Sequence, residues 1–381
     1  MDQKETKKTI RTFGIASFLN DMGSDMIYPI WPLFVTSVLG ANMTVLGLID
    51  GLGDAIVSIS KAVSGYISDR IRKRKIFIWT GYLFGSVSRL GYAFSTLWQQ
   101  LIPFRILDRA GKIRSAPRDA IVADISEKEK RGGHFGFLKA MDNMGAVVGI
   151  LVCIIFFKYL GYRNLFLIAA IPSIIGALLV ITAIKEKKPQ NDELYKGISF
   201  KDVSGDFRLF LFLSAIFALG SFSYSFLLVF AKQFGFKLAF VPVLYLIFTA
   251  IASVFSIPFG KLVDKMGGKT VLLISFVLWG LTCLSFILSQ SYIAIIFSFI
   301  LYGMHKGALE PSQKTFVSAL APSAYRASSL GGFQMVIGLS ALPSSLVAGI
   351  LWDKINIFTP FYLSVGLTAL SSLLLLFVKE K

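Results

Sequence analysis

Two stretches decide the fold: GYISDRIRKRK at residues 65–75 and GKLVDKMGGK at residues 260–269. They align at a constant offset of 195 residues, pairing Gly65 with Gly260, Asp69 with Asp264, Arg70 with Lys265 and Arg74 with Lys269. The same offset pairs Arg131 with Arg326 and Gly136 with Gly331. Six matches at one offset, close to half of a 381-residue chain, identify an internal duplication. Each stretch is a short basic segment between two apolar runs, so the duplicated unit is a set of apolar helices joined by polar turns.

The composition agrees. The chain is 55% hydrophobic and 16% charged, with mean hydropathy +0.68 and net charge +17. A soluble protein carries about 25% charged residues, and the apolar runs here recur at the length of ~20 residues that crosses a bilayer. This excludes a soluble enzyme, a disordered tail protein and a disulfide-stapled domain. Cys153 and Cys283 lie far apart inside apolar runs and read as small core residues. His134 and His305 are too few for a histidine-built metal site, so neither metal nor cofactor is expected. No G-x-x-x-x-G-K-S/T loop occurs, so ATP drive is not expected either. The N-terminal apolar run is too long for a signal peptide and contains acids, and reads as an uncleaved first span.

Twelve spans are predicted at 13–39, 43–64, 76–95, 98–122, 135–158, 162–184, 207–233, 239–261, 270–289, 291–318, 326–351 and 357–378. Of 39 Lys and Arg, 24 fall in or at the edges of the even-numbered gaps and the termini, against five for the other gaps. The excess places both termini and the 185–206 linker in the cytoplasm by the positive-inside rule. Basic charge distributed this way marks topology, not a nucleic-acid partner. The expected fold class is an all-α polytopic membrane protein, twelve transmembrane helices in two six-helix bundles, 1–184 and 207–381.

The stretch at 65–75, read as G-x-x-x-D-R-x-x-x-R/K through Gly65, Asp69, Arg70, Arg74 and Lys75, resembles the signature of the major facilitator superfamily. Its weaker copy at Gly260 and Asp264 fits the second half. The resemblance covers the whole chain and implies transport by alternating access, with this loop as a cytoplasmic gate latch. Its basic residues would bind the negative C-terminal ends of neighbouring helices. Three further patterns resemble those of the twelve-helix drug:proton antiporters. Gly23, Pro29 and Pro32 fit G-x5-P-x-x-P in span 1. Leu101, Arg105 and Gly111 fit the span 4 motif, with Asp108 and Arg109 where Gln and Gly are expected. In span 5 two of five motif positions survive, Gly145 and Gly149, which still allow close helix packing.

An ionisable side chain inside a span is a functional hypothesis by default, because burying it costs several kcal/mol (about 3 or more) unless it is paired. The first half concentrates them: Asp21 and Asp25, then Asp50, Asp54 and Lys61, Arg89, the Arg105–Arg114 group, Lys139 and Asp142. The second half has only His305, Lys306, Glu310 and Lys314, all in span 10. At 1.5 Å per residue, Asp25 and Asp54 lie roughly 16–18 Å deep, and Arg109 and His305 also fall near the midplane. Asp21 with Asp25 and Asp50 with Asp54 are four apart, so each pair is expected to share a helix face. Proton coupling is assigned to Asp25, Asp54, Arg105 and Asp21, and substrate binding to Arg109, His305, Glu310 and Asp50. Lys112, Arg114, Arg118, Asp119 and Asp124 read as a structural charge cluster. The phenylalanines of span 7 read first as packing.

The expected activity is proton-coupled efflux of small amphipathic organic compounds by a monomer of the inner membrane. Its partners would be the bilayer, the substrate and protons. Uptake or exchange of an anionic metabolite is the first alternative, with Arg105, Arg109, Lys112 and Lys306 as a positive lining. A non-transporting membrane sensor is the alternative of another class.

Overall fold

A computed structural model describes residues 3–71, 73–126, 131–185, 204–320 and 326–379. Most of the expected linker, 186–203, lies outside them, as do the surroundings of Asp69, Arg131 and Gly136. In chain order the α-helices are α1 (Gln3–Asp25), α2 (Trp31–Leu33), α3 (Met43–Ile71), α4 (Lys75–Phe94), α5 (Trp98–Ala110), α6 (Ser115–Ile125) and α7 (Arg131–Ala183). They continue as α8 (Gly205–Gly220), α9 (Tyr224–Gln233), α10 (Val241–Met266), α11 (Gly268–Leu288), α12 (Tyr292–Leu320), α13 (Arg326–Lys354) and α14 (Thr359–Phe377). Among the described residues, eight stretches are long and apolar enough to cross a membrane. One of these, Phe137–Ala183, is two spans, because Gly161 at φ 66° reverses the chain inside α7. A side chain at that left-handed position would be strained. The remaining predicted spans are α1, α4 and α5–α6, whose buried charges set them apart by composition. The protein is an all-α polytopic membrane protein.

Two spans are interrupted, and they are repeat mates. Span 1 ends as a helix at Asp25 and resumes at Trp31. Pro29 and Pro32 have no amide hydrogen, so they cannot donate to the carbonyls of Asp25 and Tyr28 four residues back. Between them the chain makes tight turns, Ile27 donating to the Ser24 carbonyl at 3.0 Å and Trp31 to that of Ile27 at 2.9 Å. Span 7 breaks between α8 and α9 at Ser221–Ser223. There the Gly220 carbonyl is taken up by the Trp279 indole at 3.3 Å and by the Ser364 hydroxyl.

The chain forms two compact units, residues Met1–Leu39 with Ile56–Lys196, and Gly40–Ala55 with Gly197–Lys381. In the first, α1 lies directly on α7. A methyl added at Gly145 would strike the Phe18 carbonyl, and one at Gly149 the Met22 carbonyl. The two surviving glycines of the span 5 motif thus do what small residues do in membranes: they let two backbones touch. The core below is apolar, built on Phe13, Ile78, Tyr82, Val122, Leu138 and Val180. In the second unit Phe217 stacks on Phe276 at 3.9 Å, and Phe210, Phe226 and Phe230 are fully enclosed, so most of the span 7 phenylalanines pack, while Phe212 faces outward.

Each unit also closes its last helix with a lysine. Lys75, opening α4, donates to the Ile181 carbonyl at 2.7 Å; Lys269, near the start of α11, donates to those of Leu376 and Val378 at 2.9 and 2.7 Å. A cation on the terminal carbonyls satisfies orphan acceptors and the negative end of the dipole together. The expected binding of basic loop residues to helix C-termini is therefore found within each unit.

Candidate functional site

In the first unit the break in span 1 is the centre of the charged residues. Tyr28 and Trp31, just past Asp25, offer their ring faces to two arginines of α5. The Arg105 guanidinium lies 4.4 Å from the Trp31 ring centroid, and that of Arg109 lies 4.9 Å from the Tyr28 centroid. Arg109 also donates to the Tyr28 hydroxyl at 3.3 Å. Asp108 stands between them, 4.0 Å from Arg105 and 3.9 Å from Arg109. Arg105 is buried, so these ring contacts are desolvated and each is worth up to about 2 kcal/mol. Deletion of helical hydrogen bonds by the two prolines leaves Asp25 at an opened helix end, three residues before Tyr28, the kind of break at which discontinuous helices form sites.

One turn towards the basic end, the charges are committed to one another. Asp21 accepts from Asn20 at 2.9 Å and lies 3.8 Å from Arg114. Arg118 pairs with Asp119 at 3.0 Å, lies 3.6 Å from Asp142 and donates to Ser17 at 2.5 Å. Arg74 pairs with Asp124 at 2.6 Å. This is the structural cluster expected from sequence, with Asp21 drawn into it. Arg89 is the hub beneath the break. Wholly buried, it donates to the carbonyls of Ala169 and Asn20 and to the hydroxyls of Ser173 and Ser24, tying α1, α4 and α7.

In the second unit, the surroundings of the break are aromatic. His305 is enclosed by Trp279, Phe217 and Tyr302, with ring centroids at 5.5, 5.9 and 6.1 Å. Its Nδ1 lies 2.8 Å from the Ser275 carbonyl, which can only accept, so Nδ1 carries the proton and Nε2 is an acceptor. Among the described residues that Nε2 has no hydrogen-bond partner. Glu310 is not brought to His305; it is exposed and pairs with Lys314 at 2.6 Å. Five residues along a helix is a turn and a half, which turns Glu310 onto another face.

Asp50 and Asp54 do not share surroundings, although they are four apart. Asp50 is buried and accepts from the hydroxyls of Ser223 and Ser225, at 2.9 and 2.5 Å, while Asp54 is exposed. The part of α3 that packs in the second unit ends at Ala55, one residue past Asp54. Of the gate residues, Gly65 faces Ala116, Arg70 is exposed on the last turn of α3, and Gly260 and Asp264 are open. Sequence reasoning missed the rings of Tyr28 and Trp31, and the Asn20–Ser24 pair at helical spacing that receives Arg89.

The sequence pattern of the Major Facilitator Superfamily matches residues 13–255 and 210–381. The chain belongs to this superfamily. A relative known only as an uncharacterized MFS-type transporter, from Methanocaldococcus jannaschii, is 40% identical over 389 residues, covering 99% of this chain and 96% of its own. The multi-drug resistance efflux pump PmrA of Streptococcus pneumoniae is 26% identical over 345 residues, covering 85% of this chain and 84% of its own. The crystal structure of a point mutant of the nucleoside transporter NupG has the same fold, with TM-score 0.84 at 16% identity over 97% of this chain and 99% of that one. As a superfamily member the protein is a multi-pass membrane transporter working by alternating access, and not an enzyme.

Proposed function

We propose that the protein exports small amphipathic organic compounds in exchange for protons, with Asp25 as the coupling acid. The observation that supports this best is the pair of broken spans at matching places in the two repeats. One break follows Asp25, three residues before Tyr28 of the Tyr28–Arg105–Asp108–Arg109 group; the other is surrounded by Phe222, Trp279 and the aromatic residues around His305. The charged group offers a polar head its partners, and the aromatic surroundings suit an apolar body, each within its own unit. Similarity to an efflux pump along most of the chain supports the direction. The working bodies are residues 1–184 and 207–381 with the linker 185–206, in the inner membrane with both termini cytoplasmic. The loop at Gly65, Asp69, Arg70 and Arg74, with Gly260 and Asp264, is the cytoplasmic latch. Asp54, Asp21 and Arg105 assist coupling, and Arg109, His305 and Asp50 serve the substrate path.

In proteoliposomes with an imposed pH gradient, wild-type protein is expected to move ethidium uphill, and Asp25→Asn to equilibrate it only downhill. Uphill ethidium movement by Asp25→Asn at the wild-type rate would remove Asp25 from the coupling role. One observation favours a second reading: Arg105 and Arg109 both lie about Asp108 in a low-dielectric setting, which also suits an anionic metabolite. Accumulation of fluorescein but not ethidium, inverted in direction, would select that reading.

A further inference from the structure

The second unit includes a piece of the first repeat, residues Gly40–Ala55, comprising the turn before α3 and its first turns. This strap lies along α9 and α13 at backbone contact. A methyl at Gly47 would strike the Ser345 carbonyl, one at Gly51 the backbone of Leu342, and one at Gly349 the Met43 carbonyl. Glycine-lined contacts bury little apolar side chain, so polar bonds must do much of the holding.

Those bonds are reciprocal. Asp353 of α13 accepts from the Met43 and Thr44 amides, at 3.2 and 2.7 Å, and from the Thr44 hydroxyl at 2.6 Å. These amides open α3 and have no acceptor within their own helix, and the dipole there is positive. In return, Asp50 of the strap accepts from the hydroxyls of Ser223, the N-cap of α9, and of Ser225. Two helix starts therefore each hold a carboxylate supplied by a different element. Asp353 is exposed, at the end of the spans away from the basic loops, where its bonds can be exchanged for water and remade.

We infer that Asp353 is a positioning residue for transport: its carboxylate fastens the strap to α13 and sets how readily the end remote from the basic loops opens. A carrier that alternates must lift this contact once per cycle. Capping bonds suit such a contact, being strong enough to bias the closed state and weak enough to be released. The inference uses alternating access only and is independent of the cargo and of the coupling ion.

The test is cysteine accessibility in liposomes, in a Cys153→Ala, Cys283→Ala background. Ser345→Cys reports the strap, because Ser345 is 1% exposed beneath it. Adding Asp353→Ala is expected to raise the rate of maleimide labelling roughly fivefold, the population shift that corresponds to loss of one cap. Asp353→Asn, which retains an acceptor oxygen, is expected to fall between alanine and wild type. In a Thr44→Cys, Asp353→Cys pair, oxidation should suppress labelling at position 345 and reductant should restore it. Labelling of the alanine variant at the wild-type rate, or of the cross-linked protein as fast as the reduced one, would overturn the assignment. The cross-link arm reads out even if the alanine variant folds poorly.

Discussion

Arg89→Met is expected to lower the thermal unfolding midpoint of the purified protein by roughly 5–10 °C, equivalent to about 3 kcal/mol. The guanidinium is enclosed and donates to four acceptors from three helices: Ala169 at 2.7 Å, Ser173 at 2.6 Å, Asn20 at 3.3 Å and the Ser24 hydroxyl at 2.8 Å. Methionine fills the volume but donates to none of them. Two carbonyls and two hydroxyls would each lose one partner in a dry interior, where a group left unsatisfied costs about 1–3 kcal/mol, offset by no longer burying a charge and by the Ser24 hydroxyl still donating to the Asn20 carbonyl at 3.2 Å. Ser173 can still donate to the Asn20 side chain at 3.0 Å, which keeps the loss below the sum. Arg89→Lys keeps the charge but reaches fewer acceptors and should lie between. Unfolding of Arg89→Met within 1–2 °C (roughly) of wild type would show that these bonds are not holding α1, α4 and α7 together.

Gly149→Ala is expected to abolish most transport, with a loss of stability of about 1–3 kcal/mol from overpacking. The new methyl meets the Met22 carbonyl and, at 3.1 Å, the carbonyl carbon of Asp25. Backbone cannot rotate away as a side chain can, so the strain is delivered to the helix end that carries Asp25. The matched control is Gly366→Ala on α14, where a methyl would meet nothing within 4 Å. It should be neutral or gain up to about 1 kcal/mol from helix propensity. Equal transport by both variants, measured per folded molecule, would show that the close approach of α1 and α7 does not matter to the cycle.

Much of this was legible in the residues alone. Span positions follow from apolar length, and the duplication from six matches at one offset. The breaks were not legible: spans 1 and 7 read as continuous runs over 13–39 and 207–233, with Pro29 and Pro32 only as motif positions, and serines such as Ser221 and Ser223 are tolerated in spans. Helical spacing put Asp50 and Asp54 on one face correctly as geometry, yet burial depends on where the neighbouring elements end, and those lie some 170–300 residues away in the chain. The same distance hides Asp353: a loop acid reads as solvated until Met43 and Thr44 are seen to face it. Arg105 and Arg109 could be located by motif, whereas their partners Trp31 and Tyr28 required the turn between α1 and α2 to be known.

The lysines that close α7 and α14 carry a consequence for how the chain is made. Lys75 finds the Ile181 carbonyl, and Lys269 those of Leu376 and Val378, so neither clasp borrows an atom from the other repeat. The first ring can shut once residue 181 has left the ribosome, while about 200 residues remain to be synthesised, a delay of about 10–40 s at ordinary elongation rates. The earlier half, apart from residues 40–55, which pack in the second unit, can thus be assembled before the later one arrives, and a nascent chain halted near the linker should already resist proteolysis outside that strap.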